Sequence, residues 1–174
     1  MSQAPYTLEA LHLAAPFDLH RGEVLKDWVD WNGHMNVGYY VVAFDRATGV
    51  LFNNLGMPYE YTKLKIGMYF VVECHVNYGS ELLEGEAFFV ESQIVDFDHK
   101  RLHLFHTMRR VEDQRLVATN ELMLMNIDYE SRRSAPWPIW AKERIAAMAA
   151  AHQALAKPDR IGSVIGIRRA GGPT

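Results

Sequence analysis

The longest stretch of helical periodicity runs from Val37 to Leu55, where Tyr40, Phe44, Ala47, Leu51 and Leu55 recur at three- and four-residue steps. That spacing is what one buried helical face requires. Val41 and Val50 widen the apolar face, and Asp45 and Arg46 sit off it. Asn36 stands where a side chain can accept from first-turn amides. Gly56 and Pro58 supply the stop. The pattern then changes. Residues 67–79, 85–98, 101–111 and 115–128 carry β-branched and aromatic residues with alternation, as strands do. In the third run Leu102, Leu104 and Met108 alternate against His103 and Arg109. The polar connections Asp98-His99-Lys100 and Glu112-Asp113-Gln114 make the last three runs an antiparallel meander. An earlier strand falls within residues 17–28. Residues 131–138 break the pattern, and residues 139–156 read as an Ala-rich surface helix with Ile139, Ile145, Met148 and Leu155 on its apolar side. Pro158 ends it, and residues 159–174 read as a tail that is loose at its end.

Strand, long apolar helix, then at least four strands predicts an α+β chain. A helix with so wide an apolar stripe needs a sheet to wrap it. One central helix embraced by a curved antiparallel sheet is the hotdog arrangement, here with a C-terminal helix added. The expected organisation is a loose lead-in segment over residues 1–16, the hotdog domain over 17–130, and a helical extension with tail over 131–174.

Composition narrows the field. Of 174 residues, 49% are hydrophobic and 22% charged, a globular balance. A net charge of −3, without clustered Lys and Arg, argues against nucleic acid as a partner. The one cysteine, Cys74, excludes an internal disulfide and reads as a reduced residue packed on a strand, with a reactive thiol as the lesser alternative. The first thirty residues contain Glu9, Asp18 and Glu23 and lack the apolar run of a signal peptide, and no apolar run is long enough to span a membrane. The expected setting is the cytoplasm, away from any membrane.

The densest polar cluster, Asp30-Trp31-Asn32-Gly33-His34-Met35-Asn36, lies between the first strand and the long helix. A carboxylate there sits before a helix N-terminus, whose free amides can hold a developing oxyanion. One carboxylate and one amide donor are the minimum set for attacking a thioester: one activates or attacks, the other polarises the carbonyl.

The segment VDWNGHMNVGYYVVAFDRA resembles the signature of the 4-hydroxybenzoyl-CoA-thioesterase-like hotdog family, in which Asp-x-x-Gly-His-x-Asn precedes a tyrosine-bearing helix. The matching positions are Asp30, Gly33, His34, Asn36 and Tyr40. The resemblance implies an acyl-CoA thioesterase with Asp30 as nucleophile or general base. It places the oxyanion amide in the stretch Asn36 to Tyr39, near Val37, and the active site at a subunit interface of a homodimer or homotetramer. It implies no cofactor beyond the coenzyme A of the substrate. Many members carry two consecutive Asn residues after the His, whereas Met35-Asn36-Val37 supplies one. The segments HKRLHLFHTM and SRRSAPWP also resemble the betainyl-CoA thioesterases.

Each residue has a plainer reading beside the chemical one. His34 braces the loop or moves a proton; Asn36 caps the helix or touches substrate. Gly33 allows a left-handed backbone or close substrate approach. Tyr39 and Tyr40 pack the core or meet substrate. Glu73, His75 and Asn77 share one face of a strand, either solvated or walling the acyl pocket. Trp28, Trp31 and Tyr69 are candidates to hold a trimethylammonium group by cation–π contact. His99, Lys100 and Arg101 form a short basic group, solvated or meeting the phosphates of coenzyme A. His103 and His106 face opposite sides of a strand, and no Cys/His spacing suggests a metal. Two rival functions remain open: an acyl-thioester hydratase or dehydratase using His34 and Asp30, and a non-catalytic acyl-CoA-binding module.

Overall fold

The computed structural model describes residues 3–167. In chain order the elements are β1 (Phe17–Glu23), a single 3-10 turn (Lys26–Trp28), α1 (Val37–Asn54), α2 (Tyr59–Lys63), β2 (Met68–Tyr78), β3 (Ala87–Phe97), β4 (Arg101–Arg110), β5 (Leu116–Ile127) and α3 (Ile139–His152). The five strands form one sheet in the order β1-β3-β4-β5-β2. Every neighbouring pair is antiparallel. β3, β4 and β5 form the expected meander, and β1 and β2 are the two edges.

α1 lies on the inner face of this sheet, the hotdog arrangement. Its buried residues are Tyr40, Ala43, Phe44, Ala47, Thr48, Leu51 and Phe52. Sheet residues Val90, Leu104, Met108, Ala118 and Leu124 complete the core around that stripe. The helix stops through a paired C-terminal turn. Gly56 N–H donates to Asn53 O at 3.0 Å and Met57 N–H to Phe52 O at 2.8 Å. Gly56 has φ +83°, the left-handed conformation such a cap requires.

A polar row crosses the core beneath α1. Thr48 Oγ donates to Phe44 O at 3.0 Å, so its lone pair is left to accept from His106 Nε2 at 2.9 Å. His106 Nδ1 then accepts from Ser92 Oγ at 2.8 Å. This chain fixes the neutral imidazole tautomer and ties helix to sheet at mid-height. Phe44 stacks on the same ring, with centroids 5.8 Å apart.

α3 is less of a surface helix than its composition suggests. Trp140, Ala141, Ile145 and Met148 are buried, whereas Ile139 is exposed. The helix ends at His152, so Leu155 lies beyond it. α3 packs on β3 where β1 has ended, at the Phe17–Ser92 pair. There Ile94 N–H donates to His152 Nδ1 at 2.9 Å, and His152 Nε2 donates to Ala14 O at 2.9 Å. The side chain thus satisfies a strand edge that would otherwise be open. The alanines hid this, because an Ala-rich stripe carries little periodic signal. Residues 168–174 of the expected loose tail lie outside the described residues.

Burial holds the His106 imidazole down to about 3. The folded chain therefore keeps this ring neutral, while an unfolded chain takes up a proton near pH 6.5. Its contribution is complete above that pH and is lost as pH falls towards 3, by up to about 1.4 kcal/mol per unit. The urea midpoint is expected to fall more steeply between pH 6.5 and 4 in the wild type than in His106→Gln. Parallel pH profiles would contradict this.

Candidate active site

The loop before α1 is built from backbone pairing. Asp30 N–H donates to His34 O at 3.1 Å and Gly33 N–H to Asp30 O at 2.9 Å. Gly33 takes φ +84° at this turn, with open space around it, so its requirement is conformational. Met35 N–H donates to Leu82 O at 2.8 Å, anchoring the loop to the β2–β3 connection.

The half-buried Asp30 carboxylate is held from both sides. Its Oδ1 accepts from Asn32 N–H at 2.8 Å, and its Oδ2 accepts from Asn36 Nδ2 at 3.3 Å. Asn36 is the N-cap of α1, with its Oδ1 accepting from Gly38 N–H at 3.0 Å. One side chain therefore links the carboxylate to the helix terminus. Asn36 N–H is used by Trp28 O at 2.8 Å and Tyr39 N–H by Asn36 O at 3.0 Å. Of the four amides from Asn36 to Tyr39, Val37 N–H alone has no acceptor among the described residues. An exposed residue at the positive end of a helix thus presents a free donor.

A cleft of about 270 Å³ opens at this end, with His34, Val37, Tyr40, Tyr78 and Ser80 in its wall. His34 Nδ1 lies 3.2 Å from Met35 O, which can only accept, so Nδ1 carries the proton in the neutral ring. Its Nε2 is the acceptor left over. Tyr40 is buried and its hydroxyl accepts from Leu82 N–H at 3.2 Å. Burial above all pushes this phenol up from its ordinary value. Tyr78 meets Tyr40 edge-on, with centroids 5.3 Å apart. Tyr39 stacks on Trp28 at 5.2 Å. Both tyrosines of the helix are therefore packing residues first, and only Tyr40 reaches the cleft wall.

Other expectations separate from Asp30. Glu73, His75 and Asn77 do share a face of β2, but it is the outer one. His75 pairs with Glu121, whose carboxylate bonds His103 Nε2 at 2.8 Å. The inner face is set by an irregularity between Val71 and Glu73, which brings Val71 and Cys74 toward α1. Cys74, expected to be packed, is exposed there. A single-residue slip moves side chains to the other face, and sequence alternation does not reveal it.

Of the three aromatics considered for a cation, Trp28 is buried, stacked on Tyr39 and covered by the Arg46 guanidinium at 5.1 Å. Tyr69 stacks on Phe52 at 3.8 Å. Trp31 alone is free, 96% exposed at the loop tip. His99, Lys100 and Arg101 occupy the β3–β4 turn. The 11-residue strand β3 leaves the Asp30 end of the sheet at Ala87, so that turn is roughly 30 Å away within one chain. Asp98 holds Arg101 there, at 2.8 Å through Nε. Among the described residues no group of three His, Cys, Asp or Glu side chains is placed to hold a metal. No helix among them is long and apolar enough to cross a membrane.

Comparison with known proteins agrees with this geometry. Residues 24–145 match the thioesterase-like superfamily. A betainyl-CoA thioesterase of Pseudomonas aeruginosa is 35% identical over 144 residues, covering 83% of this chain and 91% of that protein. The L-carnitine dehydrogenase/betainyl-CoA thioesterase of Rhizobium meliloti is 28% identical over 161 residues, 92% of this chain, which spans only 32% of that longer protein. A Staphylococcus aureus protein solved in complex with CoA superposes with a TM-score of 0.82 at 30% identity, over 90% of this chain and 99% of that one.

Asn36→Ala is expected to lower unfolding stability by about 1 kcal/mol through loss of the cap, and Asn36→Ser to retain most of it. Equal denaturation midpoints for wild type and Asn36→Ala would contradict the capping role.

Proposed function

The chain belongs to the thioesterase-like superfamily, and from that premise we propose that it hydrolyses acyl-CoA thioesters with Asp30 as its reactive carboxylate and Val37 N–H as its oxyanion donor. The observation that carries this reading is the pairing of a fixed carboxylate with an amide of the helix terminus that has no acceptor among the described residues. Asp30 either attacks the carbonyl carbon or takes a proton from an attacking water. In both routes charge builds on the carbonyl oxygen, which accepts from Val37 N–H beside the helix dipole. The C–S bond then breaks and coenzyme A leaves as its thiolate; in the first route water then hydrolyses the Asp30–acyl anhydride, and in both the acyl group leaves as the free acid. His34 braces the loop through Nδ1, and Asn36 positions Asp30. No cofactor is needed beyond the substrate's own coenzyme A.

The acyl group we assign is betainyl or another short chain, supported by likeness to the Pseudomonas aeruginosa enzyme. A cytoplasmic setting belongs to this reading, since Cys74 is exposed and unpaired and suits a reducing compartment.

The working unit we propose is at least a dimer. β2 is an open sheet edge carrying exposed Phe70, Val71, Val72 and Tyr78, and the adjoining flank of α1 exposes Val37 and Val41. Such an edge is a template for strand pairing. Two β2 strands joined antiparallel about a two-fold would bring the far end of one sheet beside the Asp30 end of the other. His99, Lys100 and Arg101 of a second copy would then reach the mouth of the cleft and meet the phosphates of a coenzyme A whose thioester lies at Val37. Within one chain they cannot.

Asp30→Asn and Asp30→Ala are expected to lower thiol release from betainyl-CoA at least 10³-fold, a loss typical of removing a reactive group. Undiminished turnover in both would remove the mechanism. Enoyl absorbance changes without thiol release would favour the hydratase, and tight CoA binding without product the binding module. Val72→Lys is expected to shift the mass in sedimentation from dimer to single chain. A wild type that sediments as a single chain would refute the paired edge.

A further inference from the structure

A second cavity, of about 340 Å³, continues along the same flank of α1. Val41, Asp45 and Thr48 of the helix line it, with Cys74 of β2 and Asn120 and Leu122 of β5 opposite. Its walls are apolar apart from two polar groups, the exposed carboxylate of Asp45 and the buried carboxamide of Asn120. Asp45 makes no ion pair among the described residues. Asn120 is only 2% exposed, and its Oδ1 has no hydrogen-bond partner among the described residues. The Thr48 hydroxyl proton is already spent on Phe44 O. What the cavity offers is therefore acceptors and negative charge, framed by valine and leucine.

A buried acceptor without a partner costs free energy unless a ligand answers it. A cation answers the Asp45 carboxylate by charge, and its polarised methyl groups can lie against the Asn120 oxygen. A primary ammonium would need several hydrogen-bond acceptors to replace its water, which an apolar wall lacks. A quaternary ammonium has no N–H to satisfy and presents methyl groups to Val41 and Leu122. We propose that Asp45, seconded by Asn120, selects acyl groups that end in a quaternary ammonium cation. This deepens the acyl-CoA hydrolase reading above and rests on it for the placement of the carbonyl.

The test uses a charge pair of substrates. Betainyl-CoA and 3,3-dimethylbutyryl-CoA have the same shape and differ in one positive charge. In the full-length protein the ratio of their kcat/KM values is expected to fall at least 10-fold on Asp45→Asn, with the change carried mainly by KM. Asn keeps the size of the side chain and removes its charge. The same comparison by calorimetry uses the unreactive thioethers, S-(2-trimethylammonioethyl)-CoA and S-(3,3-dimethylbutyl)-CoA. A wild type without preference for the cation, or a preference unchanged in Asp45→Asn, overturns the proposal. Cation preference in the thioethers that depends on Asp45, without hydrolysis of either ester, would sink the hydrolase reading and leave this one standing.

Discussion

Burial of one helical stripe against a curved sheet is the constraint on which the rest depends. Each large side chain of α1 that leaves water, such as Phe44, Leu51 or Phe52, contributes roughly 1.5–3 kcal/mol. Rotating the helix would expose that face and bury Arg46. Its rotation and height are therefore fixed, and with them the position of its N-terminus. The loop carrying Asp30 has to end where the core puts Asn36. The free amide at Val37 is a by-product of helix geometry, since the first turn always has donors to spare. What is particular is that the cap and the backbone consume its neighbours and leave that one.

The inner face of the sheet divides its polar groups into two kinds. Ser92, His106 and Thr48 satisfy one another completely and serve as a tie between layers. Asn120 pairs with His106 across β4 and β5, yet its carboxamide oxygen is left unanswered. The difference is position. His106 lies under the buried stripe, where an unpaired group would be intolerable. Asn120 lies one strand nearer the open edge, beneath the flank of α1 that lines the cavity. The polar row thus begins as structure and ends as cavity lining.

The same flank joins the proposed reaction and assembly. Val37, Val41 and Asp45 follow one another along α1, and Tyr78, Cys74 and Val71 follow along β2. The cleft at the helix terminus, the acceptor-lined cavity and the open strand edge are three parts of one strip of surface. A second copy seated on β2 would close this strip from outside and exclude water from it, which strengthens electrostatic contacts within.

The local code was legible from residues alone. The 3.6-residue stripe, the Asn36 cap, the Gly56 stop and the strand–turn–strand alternation each express short-range stereochemistry, and α1 and the meander formed where that chemistry put them. The Gly33 turn was legible too, and Asp30 stands where the sequence put it, just ahead of the capped helix, because a loop that prepares a helix N-terminus is contiguous in sequence. Tertiary structure decided what depends on faces and ends. It turned Glu73, His75 and Asn77 outward and Cys74 inward, because an irregularity in β2 resets an alternation of period two. It carried the His99–Arg101 turn the length of a strand away from Asp30. It brought Asp45 and Asn120, 75 residues apart, to one cavity. Sequence spacing governs neighbours along the chain, whereas the partner across a sheet is chosen by which side of it each residue has to bury.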